Sequence, residues 1–409
     1  MSHPLSIFLL QLIIIIVASR IFAYLFQKIG QPAVMGEIIA GIALGPSLLG
    51  TLYPAYTAFI FPASSLGNLQ MLSQVGLILF MFVIGMELDL NIIKAKAKAA
   101  TLISITSIVI PYALGVALAF GMHKTYAPAN VPFHAFALFM GIAMSITAFP
   151  VLARIIRERK IGDTRHGAIA ITSAAVDDVT GWCILAIVIA IVKAQDMSSV
   201  FYSIAGAVAY VCVMLFIIRP LLKKIATQAG NGIIRQSSIA IIFIILLLSA
   251  WSCEVIGIHA LFGAFMTGVV MPLEWDFRKI IINKIEDVAL LLLLPIFFVL
   301  TGLRTQIGLL NTGTLWAVCA LITSLAIAGK LGGSALAAKI TGESNYTSLA
   351  IGALMNTRGL MELIVLNIGY DLGILTAEVF TMMVMMALIT TLMTNPILNL
   401  LNRIYAKQY

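Results

Sequence analysis

The chain is a succession of long apolar runs joined by short polar loops, and few folds can accommodate that pattern. A helix needs about 20 apolar residues to cross a bilayer. Thirteen stretches reach or approach that length: 5–26, 32–49, 67–88, 99–121, 134–156, 165–193, 199–222, 235–255, 258–273, 285–303, 313–339, 345–369 and 376–401. They are numbered here as spans 1–13; spans 2 and 9 are short. A membrane barrel would need strands of alternating polarity, which these runs lack. The expected fold is therefore an all-α polytopic membrane protein of about thirteen transmembrane helices. Only 10% of the 409 residues are charged, against about 25% in soluble domains, so lipid rather than water is expected around most of the surface. The spans use the whole length, so residues 1–409 are expected to form a single membrane unit with no cytoplasmic regulatory domain. The run from Leu5 lacks the basic flank and cleavage stretch of a signal peptide.

The net charge of +8 might suggest nucleic acid, but the position of the basic residues excludes that reading. With thirteen spans, nineteen of the 25 Lys and Arg fall in loops on the C-terminal side. Only Lys124, Lys193 and Arg304 fall on the other side, while Arg20, Lys330 and Arg358 lie within spans. Basic residues accumulate on the cytoplasmic face. The expected topology has the N-terminus outside and the C-terminus cytoplasmic, in a bacterial inner (plasma) membrane. Cys183, Cys212, Cys253 and Cys319 all lie inside apolar runs without metal or redox spacing, and they read as small core residues. No cofactor is expected.

The chain also repeats itself. "GEIIAGIALGP" (36–46) resembles "GAFMTGVVMP" (263–272), and "SQVGLILFMFVIGMELDL" (73–90) resembles "EDVALLLLLPIFFVLTGLRTQI" (286–307). "TSIVIPYALGVALA" (106–119) resembles "TSLAIAGKLGGSALA" (323–337), and "GIAMSITAFPVL" (141–152) resembles "GALMNTRGLMEL" (352–363). The order is kept, so spans 2–6 match spans 9–13. Seven spans separate the copies, an odd number that places them in opposite orientations. Inverted repeats of approximately 32–193 and 258–401 are expected, with 199–222 as the connecting helix. Such repeats characterise alternating-access transporters.

Within this frame two spans carry breakers at matched depth. Span 5 holds Ser145, Thr147 and Pro150; span 12 holds Asn356, Arg358 and Gly359. Proline removes a backbone donor and clashes with the preceding turn. Paired discontinuous helices at corresponding positions are the best sequence pointer to a transporter's binding site, and the freed carbonyls and hydroxyls, including those of Ser145 and Thr147, can coordinate a cation. Asp177 and Asp178 lie midway along span 6. A carboxylate in the membrane is costly unless it faces water, a partner or an ion. Neighbours on a helix differ by about 100° in direction, so one is expected to be paired and the other open to a cation. Lys330 in span 11 replaces an alanine of the repeat, Ala113, and can neutralise an aspartate of the empty site. Glycines 329, 332 and 333 are expected to permit close helix approach around it. Arg358 and Glu362, four residues apart on span 12, are expected to pair with each other.

A buried carboxylate that holds either a cation or a proton exchanges one for the other. The expected function is secondary active exchange of a monovalent cation, Na+ or K+, for protons by alternating access. If Asp178 and a second group each carry a proton against one cation, the exchange is electrogenic. The alternative is a sodium-coupled symporter of an organic solute on a similar scaffold. An intramembrane aspartyl protease would need two aspartates converging from different helices. A passive channel would need a continuous pore, usually built by symmetric subunits. Neither is favoured, and no enzymatic activity is expected.

"SITAFPVLARIIRERKIG", "GAIAITSAAVDDVTGW", "QPAVMGEIIAGIALGPSLLG", "FMFVIGMELDL" and "GALMNTRGLMELIVLNIG" together resemble the cation:proton antiporter-2 family, over essentially the whole chain. The resemblance implies a thirteen-span fold with a dimerisation domain and a moving core domain, and hence a homodimer embedded in lipid. It implies a cation site at Asp178, Asp177 paired with Lys330, and the span 5 break at Thr147 beside them. The plant exchangers usually have Asn-Asp where this chain has Asp-Asp; two aspartates with a lysine look more like the electrogenic sodium/proton exchangers. The glutathione-gated potassium efflux members have Gln in place of the first aspartate and a nucleotide-binding domain, and this chain matches neither feature.

Overall fold

The structure is a computed structural model that describes residues 4–87, 97–162, 164–193, 197–228, 236–272 and 275–405. Of the basic loop residues, Lys94, Lys96, Arg235 and Lys407 lie outside that set. Among the described residues there is helix and no strand. Twelve helices are long and apolar enough to cross a membrane, and they coincide with spans 1–8 and 10–13.

Span 9 differs from its expected length. It is the ten-residue helix Ala260–Val269, so among the described residues there are twelve long apolar helices and this shorter one. Its start is fixed by a turn: Gly257 and His259 both have positive φ (+93° and +91°), and the His259 ring accepts a hydrogen bond from the Leu261 N–H. Span 10 is longer than expected. It begins at Trp275 and continues through a π-turn, Ala289–Leu293, to Arg304.

The chain forms two compact units. The first comprises Met1–Leu12, Ala63–Asp89 and Leu185–Phe297; the second comprises Ile13–Pro62, Leu90–Ile184 and Phe298–Tyr409. In the first unit, spans 3 and 9 cross glycine on glycine. A Cβ on Gly85 would overlap the Phe265 carbonyl, and one on Gly268 would overlap that of Phe82. In the second unit, spans 2 and 10 cross in the same way, with Gly41 against Val299 and Gly302 against the Gly41 backbone. These are the glycines that the sequence repeat sets in register. The likeness extends one helix further at the start of each copy: Gly36 presses on the Phe22 backbone of span 1, and Gly263 on the Ser249 backbone of span 8. Helix association in lipid relies on such close backbone approach, because apolar burial gives no driving force between helices there.

A large side chain at a crossing cannot be absorbed by backbone neighbours. Gly302→Leu is expected to destabilise the protein by at least about 1–3 kcal/mol, the usual cost of overpacking. Gly67→Ala, with nothing within 4 Å of the added methyl, is expected to leave stability unchanged or slightly raised. Thermal unfolding of the purified variants in detergent checks both.

Candidate cation site

All ten residues singled out in the sequence fall in the second unit. Span 5 stops at Ser145; Ile146 and Ala148 are extended (ψ 138° and 90°), and a new helix runs Phe149–Glu158 with Pro150 in its first turn. Proline is accommodated there because its missing N–H would have had no helical partner. Span 12 parts in the same manner, between Asn345–Met355 and Leu360–Asp371. Gly359 takes φ +156° and ψ −126°, and a Cβ there would come within 2.9 Å of the Val151 side chain. The two gaps touch, as the Ala148 N–H donates to the Thr357 carbonyl at 3.2 Å.

A helix that ends within a membrane leaves its last carbonyls without partners. At the end of Phe133–Ser145 two cations take them. Arg358 Nη1 donates to the Ala143 carbonyl at 3.2 Å and Nη2 to that of Met144 at 2.7 Å. Lys330 Nζ donates to the carbonyl of Ser145. Positive charge at a helix C-terminus is also favoured by the helix dipole. The gap in span 12 is held by span 13: Thr391 exchanges hydrogen bonds with the Arg358 backbone at 2.9 and 2.7 Å, and Asn356 Nδ2 donates to the Thr390 carbonyl at 3.3 Å.

Lys330 projects from a π-turn, Ala328–Gly332, which interrupts span 11. Gly329 and Gly333 do let this turn press on span 4, against Pro111 and Ile110. Gly332 does not serve that purpose, since nothing lies within 4 Å of where its Cβ would be. The lysine is fully buried and also donates to the Ser107 carbonyl at 3.0 Å and to Asp177 Oδ2 at 3.3 Å.

The two aspartates are chemically unlike. Asp177 accepts hydrogen bonds from Ser104 (2.6 Å), Ser107 (2.5 Å) and Thr147 (2.7 Å) as well as from Lys330. Asp178 is equally buried, yet neither carboxylate oxygen has a hydrogen-bond partner among the described residues. The Phe149 N–H, at the start of the second half-helix of span 5, is the backbone donor that faces it. Successive residues on one helix thus present one saturated carboxylate and one with its oxygens free. The Thr147 hydroxyl proton is committed to Asp177, and that of Ser145 to the Ile142 carbonyl at 3.0 Å, so these oxygens offer lone pairs only. Arg358 and Glu362 form the expected pair at 3.3 Å, both fully buried.

The sequence reading missed Ser104 and Ser107. Their spacing of three on span 4 was the available signal, since it places both hydroxyls on one helix face. The threonines of span 13 were missed too; Thr390, Thr391 and Thr394 alternate on a helix that otherwise reads as apolar.

Two broken helices crossing beside a buried, unpartnered carboxylate define a secondary active transporter. The sodium/hydrogen exchanger transmembrane family matches residues 13–400, and the chain belongs to that family. It is 42% identical over 398 residues to the Na(+)/H(+) antiporter NhaS4 of Synechocystis, covering 97% of both chains. It is 38% identical to cation/H(+) antiporter 17 of Arabidopsis thaliana, with 97% of this chain matched to 48% of that one; it therefore spans about half the length of the plant relative. The fold is similar to that of the sodium proton antiporter MjNhaP1 from Methanocaldococcus jannaschii, with a TM-score of 0.68 at 15% identity, covering 99% of this chain and 98% of that one.

Removing one partner of a buried charge cluster leaves the others uncompensated. Arg358→Ala is expected to cost about 3–5 kcal/mol, since the Ala143 and Met144 carbonyls and Glu362 all lose their partner. The measurement is thermal stability in detergent, with Arg154→Ala, an exposed pair with Glu158, as the comparison expected to stay close to wild type.

Proposed function

We propose that the chain exchanges a monovalent cation, Na+ or K+, for protons by alternating access, with the cation bound at Asp178. One observation carries this reading: Asp178 is fully buried with both oxygens unpartnered, while its neighbour Asp177 is saturated. A carboxylate left bare in a membrane favours either a proton or a cation over bare charge. Whichever ligand occupies Asp178 excludes the other, and that competition couples the two fluxes. Ser145 and Thr147 contribute oxygen lone pairs beside it. Lys330 and Arg358 set the local potential and close the end of the half-helix, and Glu362 completes the charge cluster. The sodium-coupled symporter of an organic solute gives way to this reading, because the chain's family and its relatives are cation/proton exchangers.

The matched glycine crossings and matched helix gaps support an inverted repeat of approximately 32–193 and 258–401, with 199–222 as the connecting helix. The distribution of basic loops supports a multi-pass protein of a bacterial plasma membrane, N-terminus outside and C-terminus cytoplasmic. The working form in lipid is a homodimer.

The test uses purified protein in liposomes carrying a pH-sensitive dye, under an imposed pH gradient. Wild type is expected to dissipate the gradient on addition of Na+ or K+ but not choline. Asp178→Asn is expected to lose the response entirely while remaining folded by thermal unfolding. Full exchange by the folded variant would remove Asp178 from the cation site, and no response of wild type to any cation would defeat the antiporter reading.

A further inference from the structure

Five ionisable side chains with no exposure to solvent cluster around the crossed gaps: Asp177, Asp178, Lys330, Arg358 and Glu362. Their hydrogen bonds divide them into two groups. Lys330 has three acceptors, the Ser107 and Ser145 carbonyls and Asp177. An ammonium has three protons to donate, and here each has an acceptor, so loss of one would leave an acceptor bare. Asp177 accepts from three hydroxyls and from the lysine. Arg358 is always charged and is anchored on the Ala143 and Met144 carbonyls.

The second group is Asp178 and Glu362. No oxygen of either has a hydrogen-bond partner among the described residues. Glu362 lies 3.3 Å from Arg358 Nη1, which also donates to the Ala143 carbonyl, so one shared nitrogen is its nearest charged partner. The charged groups acting on Glu362 are Arg358 from its own helix and Lys330 from span 11. Asp178 thus faces one backbone N–H and Glu362 one shared guanidinium nitrogen, against the four donors gathered on Asp177, and a buried carboxylate with so few donors is costly to ionise.

We infer that Glu362 is the second proton carrier of the transport cycle, in place of Lys330. This rests on the antiport reading above and names the group that would make it electrogenic. With a cation at Asp178 and both carboxylates ionised, the cluster sums to zero. When the cation leaves, Asp178 and Glu362 each take one proton from the aqueous side they face, and the cluster carries one positive charge. That charge sits at the carbonyl end of Phe133–Ser145, where the helix dipole favours it. When a cation returns, its field favours ionisation of Glu362 as well as Asp178, and both O–H bonds release their protons to solvent. Each turnover exchanges two protons for one cation and moves one net charge.

Infrared difference spectroscopy of the purified wild type reads this directly. Addition of the transported cation is expected to abolish two carboxylic-acid carbonyl bands in wild type and one in Glu362→Gln; a lysine that gives up a proton contributes no such band. In proteoliposomes, the reversal potential of wild-type exchange is expected to report two protons per cation. Glu362→Gln is expected to report one and to lose its response to membrane voltage. A single carboxyl band in wild type overturns the inference even if the variant does not fold, and so does voltage-driven exchange retained by Glu362→Gln. If wild type moves no protons against any cation, the antiport reading fails and not merely the assignment to Glu362.

Discussion

A helix that stops halfway across a membrane exposes carbonyls that no water can reach, and the centre of this protein is organised around that requirement. The end of Phe133–Ser145 presents the carbonyls of residues 143, 144 and 145, and Arg358 and Lys330 supply the donors. Two cations buried for this purpose need acidic partners nearby, and Asp177 and Glu362 are those partners. A break in one helix therefore entails charged residues on spans 6, 11 and 12. The π-turn around Lys330 and the strained backbone of Gly359 serve the same geometry, one aiming the ammonium and the other letting span 12 turn beside Val151.

The proposed cation site lies where this accommodation is incomplete. Asp177 collects four donors, while among the described residues none of ordinary geometry reaches Asp178. The contrast comes from the direction each side chain takes from span 6. Asp177 faces the serines of span 4, while Asp178 faces the start of Phe149–Glu158. A site fully satisfied without ligand would bind nothing, and one wholly unsatisfied would not fold. Adjacent residues that meet opposite fates give a stable scaffold and a reactive oxygen pair within one helical turn.

Much of this was legible in the sequence. Run lengths gave the helices, and the charged residues within spans gave the members of the cluster, because ionisable groups in apolar runs are rare and stand out. Pro150 and Gly359 marked the two gaps. Partners that are small and polar stayed hidden: Ser104, Ser107 and the threonines of span 13 look like ordinary helix surface until a neighbour is placed against them. The π-turns were also invisible: one inserted residue turns the downstream face by about 100°, but a span that is apolar on nearly every face has no pattern in which that shift could be read. Span 9 fell short of its expected length because apolar composition continues through residues whose backbone has already turned, as at His259. Gly332 shows the opposite error, a glycine assigned to packing that faces open space.

The link between the two gaps is a bond from the Ala148 N–H to the Thr357 carbonyl, and it involves no side chain. A main-chain contact does not depend on which residues flank it. The two gaps can therefore carry different residues, Ser-Ile-Thr-Ala-Phe-Pro in one and Asn-Thr-Arg-Gly in the other, and still cross. What the two gaps share is a shape, and the residues within it serve different ends, the hydroxyl of Thr147 in one and the guanidinium of Arg358 in the other.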